Sequence, residues 1–342
     1  MKLAADFLDE MKRNESRGRC LHFERGKRCN EIISAHSIQK SNQLGEIVEA
    51  GHVYRITAAI TNSLDENWRP APKKIGWKKA STFSGFCKYH DNEVFKPIDS
   101  YPLEPNLEQV ALYAYRCMCR EYFAKENAAT TLKNFINNSA LLPEQKIFLE
   151  SSFIGHSLGF QRLQHHKKYF DAALLSKRYG EFEFLTLTSN SPWHLQLSGV
   201  LYPDFDFLGG SLQDLADFTL PLDFITFFTA PLAQGWSFTF CWHASSNSSS
   251  VALARSLASA VNRGTSLQDA LLRFSFSCCE NHAFRITWWD SLPASAKEAI
   301  LGRVALMVDP EAPVPSDYLA KGLDDIADWE IENIVTTLAT TP

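Results

Sequence analysis

Two cysteine-containing segments far apart in the chain constrain its fold more than any other feature. The first, "CLHFERGKRCNEIISAHSIQK", begins at residue 20 and holds Cys20 and Cys29 with eight residues between them. The second, "FSGFCKYHDNEVF", begins at residue 83 and holds Cys87 and His90 in a Cys-x-x-His pair. Zinc takes four cysteine or histidine ligands in a tetrahedron, and the two-residue spacing is typical of a metal knuckle. We therefore predict one zinc site formed by Cys20, Cys29, Cys87 and His90, with plain thiols at Cys20 and Cys29 as the alternative.

The composition is that of an ordinary globular protein, with 342 residues, 45% of them hydrophobic and 21% charged. No stretch approaches the roughly 18 apolar residues of a membrane span, so we expect no membrane partner. Charges in "MKLAADFLDEMKRNESRGR" fall where an export signal needs an apolar core, which makes a cytoplasmic location the expectation. In a reducing compartment, the eight cysteines are expected to be thiols or metal ligands.

The hydrophobic pattern predicts an α+β fold with three regions. Residues 1–100 should form a zinc-stabilised domain and residues 101–180 a helical connector, with helices over 106–126 and 143–179. Residues 181–342 should form an α+β domain. Its predicted strands are 181–188, 194–202, 222–230, 235–243 and 282–288, and its predicted helices are 250–262, 266–274 and 294–307.

The order of motifs in the first region resembles that of the His-Me finger (HNH) endonucleases, over about 80 residues. Cys20 and Cys29 correspond to the first ligand pair, "AHSI" around His36 to the histidine strand, and "CKYHD" at residues 87–91 to the last knuckle and its follower. The resemblance implies a zinc-stabilised treble clef. In that fold, His36 would be the general base and Asp91 a ligand of a catalytic Mg²⁺ or Mn²⁺. The family usually has a metal ligand immediately before this histidine, where the present chain has Ala35.

A basic segment lies between His36 and Cys87. "WRPAPKKIGWKK", residues 68–79, reads as an exposed loop in which two tryptophans interleave with cations: Arg69, Lys73, Lys74, Lys78 and Lys79. Lysines pair with phosphates and tryptophans stack on unpaired bases, so the segment is a candidate nucleic-acid contact, with a solvated loop as the alternative. Residues 1–100 have four more basic than acidic residues, whereas the remainder has nine more acidic than basic ones. This asymmetry favours different partners for the two parts.

Taken together, these patterns favour metal-dependent cleavage of DNA or RNA by an HNH-type centre. The alternative is a non-catalytic protein whose zinc centre only scaffolds a nucleic-acid- or protein-binding domain. The C-terminal part carries no motif that indicates its role. By analogy with bacterial defence or toxin proteins, it would bind an unknown protein partner or sense a trigger.

Overall fold

A computed structural model describes residues 2–24, 26–56, 70–191, 193–218, 221–306 and 313–339. Helices and strands are mixed along the chain, which confirms the α+β class. The helices are, in chain order, α1 (Lys2–Ser16), α2 (Gly45–Ile47), α3 (Lys88–Asp99), α4 (Leu107–Phe135), α5 (Pro143–Leu175), α6 (Asn247–Asn262), α7 (Leu267–Cys278), α8 (Ile286–Ser291) and α9 (Ala294–Leu306). The strands are β1 (Ile32–His36), β2 (His52–Arg55), β3 (Lys73–Gly76), β4 (Thr82–Cys87), β5 (Phe182–Ser189), β6 (Leu195–Leu201), β7 (Ile225–Pro231), β8 (Trp236–His243), β9 (His282–Phe284) and β10 (Asn333–Thr336).

The chain divides into two compact units, each built from three segments. The first unit comprises Met1–Ser37, Thr82–Lys96 and Met118–Arg178, and the second comprises Ile38–Ser81, Pro97–Cys117 and Tyr179–Pro342. The insertion between β1 and β4 therefore belongs to the second unit. Independent folding of residues 1–100, 101–180 and 181–342 stays a prediction.

The first unit is organised around a two-stranded antiparallel ladder. β1 pairs with β4 so that Ile32 lies opposite Cys87 and His36 opposite Thr82. α3 begins at the residue after β4, and Phe95 on α3 meets Phe86 on β4 edge to face at 5.1 Å. Such aromatic contacts bury large apolar area and fix the orientation of the helix against the strand.

The second unit contains an eight-stranded sheet whose strand pairs are all antiparallel, in the order β10-β5-β8-β7-β6-β9-β2-β3. On one face the strands share a core with helical residues such as Leu257, Phe274 and Ile300. Elsewhere on the sheet, Phe228 of β7 stacks on Tyr113 of α4 at 4.7 Å. Every residue of β8 is buried, as expected for a central strand that is covered on both faces.

Most predicted elements of the C-terminal part are confirmed within a few residues, but the strand predicted over 282–288 is not. β9 ends at Phe284, and the two adjacent tryptophans, Trp288 and Trp289, lie on the short helix α8 instead. The carboxylate of Glu49 accepts hydrogen bonds from the backbone N–H and the hydroxyl of Thr287, which caps the start of this helix. Both tryptophans are buried, at 7% and 5% exposure, because a helical turn directs both rings into the core. None of the described helices combines the length and apolarity needed to cross a membrane.

Candidate metal centre

The end of the β1–β4 ladder brings together residues that are far apart in the sequence. The backbone N–H groups of Arg19 and Leu21 donate to the carbonyls of Ser84 and Gly85, so Cys20 is held alongside β4. Cys87 ends β4, and His90 lies in the first turn of α3. The loop that carries Cys29 returns to the same place, since Lys88 N–H donates to the carbonyl of Glu31.

The four predicted ligands converge on one point. Nδ1 of His90 lies 3.3 Å from Sγ of Cys20, 3.5 Å from Sγ of Cys29 and 3.3 Å from Sγ of Cys87. All four ligand atoms lie within 4.8 Å of one another. A tetrahedral zinc ion with Zn–S near 2.3 Å and Zn–N near 2.0 Å separates sulfur from nitrogen by about 3.5 Å. The set is therefore close enough to hold a metal ion, and its Cys₃His donors fit zinc.

Burial makes this cluster costly without a cation. Cys87 and His90 are 0% and 2% exposed, and Cys20 is 8% exposed, whereas Cys29 lies at the surface. Burial raises the pKa of Cys20 strongly. Burial would also raise the pKa of Cys87, but hydrogen bonds from the backbone N–H groups of His90 and Asn30 hold it below the usual value. A metal ion would compensate the thiolate charges that burial disfavours.

A second histidine, His22, packs against the Cys₃His cluster. The ring of His22 stacks on that of His90, with centroids 3.9 Å apart and planes within 3°. Nδ1 of His22 accepts a hydrogen bond from the backbone N–H of Glu24, which fixes the ring inside the loop. His22 was not among the predicted site residues, although it lies two residues after Cys20.

The predicted catalytic pair flanks the ladder at different places. His36 is the last residue of β1, opposite Thr82. Asp91 follows His90 in the first turn of α3, beyond the opposite end of the ladder, where Cys87 pairs with Ile32. The described residues contain one cluster of three or more potential metal ligands, the Cys₃His set. Neither His36 nor Asp91 belongs to it. Ala35, at the position where the family has a ligand, is a buried apolar residue.

The basic segment forms part of a hairpin in the second unit. The prediction of an exposed loop is wrong for residues 73–76, which form β3. This strand forms because Ile75 and Lys74 pair with Val53 and Tyr54 of the half-buried strand β2. The four lysines 73, 74, 78 and 79 are exposed on β3 and the turn that follows it. The ammonium group of Lys40 lies 5.3 Å from the ring centroid of Trp77 and adds a fifth cation. Arg69 lies outside the described residues.

No protein-family model, curated protein or solved structure matches this chain.

Proposed function

We propose that Cys20, Cys29, Cys87 and His90 bind one structural zinc ion and that the protein is a zinc-scaffolded nucleic-acid-binding protein. The observation that supports zinc binding is the convergence of three thiols on Nδ1 of His90 at 3.3–3.5 Å. With all four coordination positions taken by protein atoms, such a site is closed, and closed zinc sites stabilise folds.

The hairpin of β2 and β3, together with the turn that follows β3, is called the basic hairpin. It supports nucleic acid as the partner. Lys73, Lys74 and Lys78 form no ion pair among the described residues, so their charges face solvent without compensation. The structural alternative is that Lys73 and Lys74 protect the exposed edge of β3 from pairing with another strand. Edge protection does not account for Lys78 and Lys40, which lie outside β3. A partner with closely spaced phosphates accounts for all four cations.

An HNH-type endonuclease is the second candidate, favoured by one observation. His36 ends the same hairpin that leads through β4 into Cys87 and His90, which is the order that the family resemblance requires. In such a centre His36 would accept a proton from the attacking water, since imidazole titrates near neutral pH. Asp91 belongs to no cluster of three or more metal-ligating side chains among the described residues, so no observation supports a catalytic Mg²⁺ or Mn²⁺ there.

Binding and cleavage are tested in one pair of experiments. Fluorescence anisotropy with labelled duplex and single-stranded DNA and RNA, at two salt concentrations, measures binding. Nicking of supercoiled plasmid with added magnesium or manganese, for wild type beside His36→Ala, measures cleavage. Salt-sensitive binding without nicking supports the scaffolded binding protein, and nicking that His36→Ala abolishes supports the endonuclease. Absence of both binding and nicking contradicts nucleic acid as the partner.

A further inference from the structure

Within the first unit, the first half of α5 carries exposed apolar side chains. Ile147, Phe148 and Ile154 are 67%, 62% and 60% exposed. The buried residues of α5 begin only at Leu163. A Cβ atom added at Gly155 or Gly159 would meet no atom within 4 Å. Contiguous exposed apolar surface on a folded protein is a candidate interaction site.

The other side of α5 is already occupied. Phe160 meets Tyr122 of α4 edge to face at 4.9 Å, and the ammonium group of Lys167 lies over the same Tyr122 ring. Phe160, Leu163, Lys167 and Phe170 follow one another at intervals of three or four residues, so they line one face of the helix. On a helical projection, Ile147 and Ile154 lie on the opposite face.

The uncovered face has the spacing of a two-helix seam. Ile147, Ser151, Ile154 and Leu158 follow one another at steps of four, three and four residues, the alternation that lets two helices interlock. We propose that this face pairs with the same face of a second copy of the chain, in antiparallel orientation, about a two-fold axis between residues 152 and 153.

Self-complementarity selects the second copy and the antiparallel direction. About that axis, Ile147 meets Leu158 of the second copy and Ile154 meets Ser151, so a large side chain faces a smaller one at the centre. Phe148 lies beside Gly155 of the second copy, where the missing side chain leaves room for the ring. Glu144 lies beside Arg162 of the second copy, whereas a parallel pairing would place Glu144 beside Glu144.

The size of the face sets the expected strength. The paired segment from Glu144 to Arg162 has about five helical turns. Its pairing buries roughly 400–500 Å² per subunit, which is below the area of a typical stable interface. We therefore expect reversible dimers with a dissociation constant in the micromolar range.

Sedimentation velocity of the full chain, over about 1 to 100 micromolar, tests the proposal. Wild type should form dimers reversibly, and Ile154→Glu and Ile147→Glu should each weaken the dimer at least about tenfold. Ile334→Glu, the same change at an isoleucine that is 53% exposed on β10, should leave the dimer intact. Thermal melting by circular dichroism verifies that each variant is folded. If Ile154→Glu does not fold, Ile147→Glu alone provides the test.

Charge reversal tests the direction of pairing. Glu144→Arg and Arg162→Glu should each weaken the dimer, and the double variant should restore it. A wild type that stays monomeric over the whole range overturns the proposal, as does a dimer that neither isoleucine variant weakens. A double variant no tighter than the single ones overturns the antiparallel arrangement.

Discussion

Sγ of Cys87 lies 3.3 Å from Nδ1 of His90, with Cys87 at the end of a strand and His90 in the first turn of the following helix. This junction fixes half of the Cys₃His cluster by local geometry alone. The other half arrives only when the loop with Cys20 and Cys29 folds onto it. Metal binding and folding of the first unit are therefore expected to be coupled.

Loss of one thiol should show this coupling. Cys87→Ser removes a buried ligand, so we expect the purified variant to lose its single zinc ion and to melt at a lower temperature. Metal analysis by plasma mass spectrometry and thermal melting measure the two effects. Cys278→Ser, a cysteine outside the cluster, serves as the control and should keep the zinc. Full zinc occupancy in Cys87→Ser would contradict the assigned ligand set.

The basic hairpin should govern the salt dependence of nucleic-acid binding. The triple variant Lys73→Glu, Lys74→Glu and Lys78→Glu removes up to three phosphate contacts. The slope of log affinity against log salt for duplex DNA should then fall by about 2 to 3. Fluorescence anisotropy across a salt series measures the slope.

A control of equal net charge separates local from overall electrostatics. Lys12→Glu, Lys133→Glu and Lys321→Glu reverse three exposed lysines elsewhere in the chain. If these changes reduce the slope as much as the hairpin changes do, the hairpin has no specific role.

His282 gives the second unit a pH-dependent stability. Burial lowers its pKa to about 4, and its Nδ1 lies 2.7 Å from the carbonyl oxygen of Cys279. The folded state therefore keeps the ring neutral, whereas the unfolded chain binds a proton near pH 6.5. The contribution of neutral His282 to the free energy of unfolding is fully present above about pH 6.5 and decreases as the pH drops towards 4. The full loss is about 3 kcal/mol.

Urea unfolding at several pH values checks this effect, for wild type beside His282→Phe. Other groups that titrate on unfolding act equally in both proteins, so the difference between the two curves isolates His282. The variant should lose less stability than wild type between pH 6.5 and 4. Parallel curves would show that His282 does not titrate on unfolding.

The turn between β7 and β8 requires glycine for two reasons. Gly235 has φ +83°, and a Cβ atom there would overlap the carbonyl oxygen of Ser189. Gly264 has φ +95° but open space around it, so Gly264→Ala reports the backbone strain alone. We expect Gly264→Ala to cost about 1 kcal/mol and Gly235→Ala at least about twice as much. Equal losses in urea unfolding would contradict the predicted overlap.

The convergence of Cys20, Cys29, Cys87 and His90 was predictable from the sequence because ligand chemistry restricts candidate ligands to few residue types. Cys-x-x-His at a strand–helix junction is a local signal, and it identified Cys87 and His90 directly. The pairing with Cys20 and Cys29 followed from the need for four ligands. The stacking of His22 on His90 was not predictable, since it depends on how the intervening loop closes.

Elements decided by distant contacts were harder to predict. β3 forms because residues 73–76 pair with β2, although the surrounding prolines and lysines are typical of a loop. α8 forms where Glu49, more than 200 residues away in sequence, caps Thr287. In each case tertiary context overrides the local preference.

Zinc K-edge X-ray absorption on the purified protein, with metal content measured on the same sample, tests the central claim most directly. The account predicts one zinc ion per chain, with three sulfur neighbours near 2.3 Å and one nitrogen near 2.0 Å. Protein that is folded without stoichiometric metal, or a zinc shell with fewer than three sulfur atoms, would contradict it.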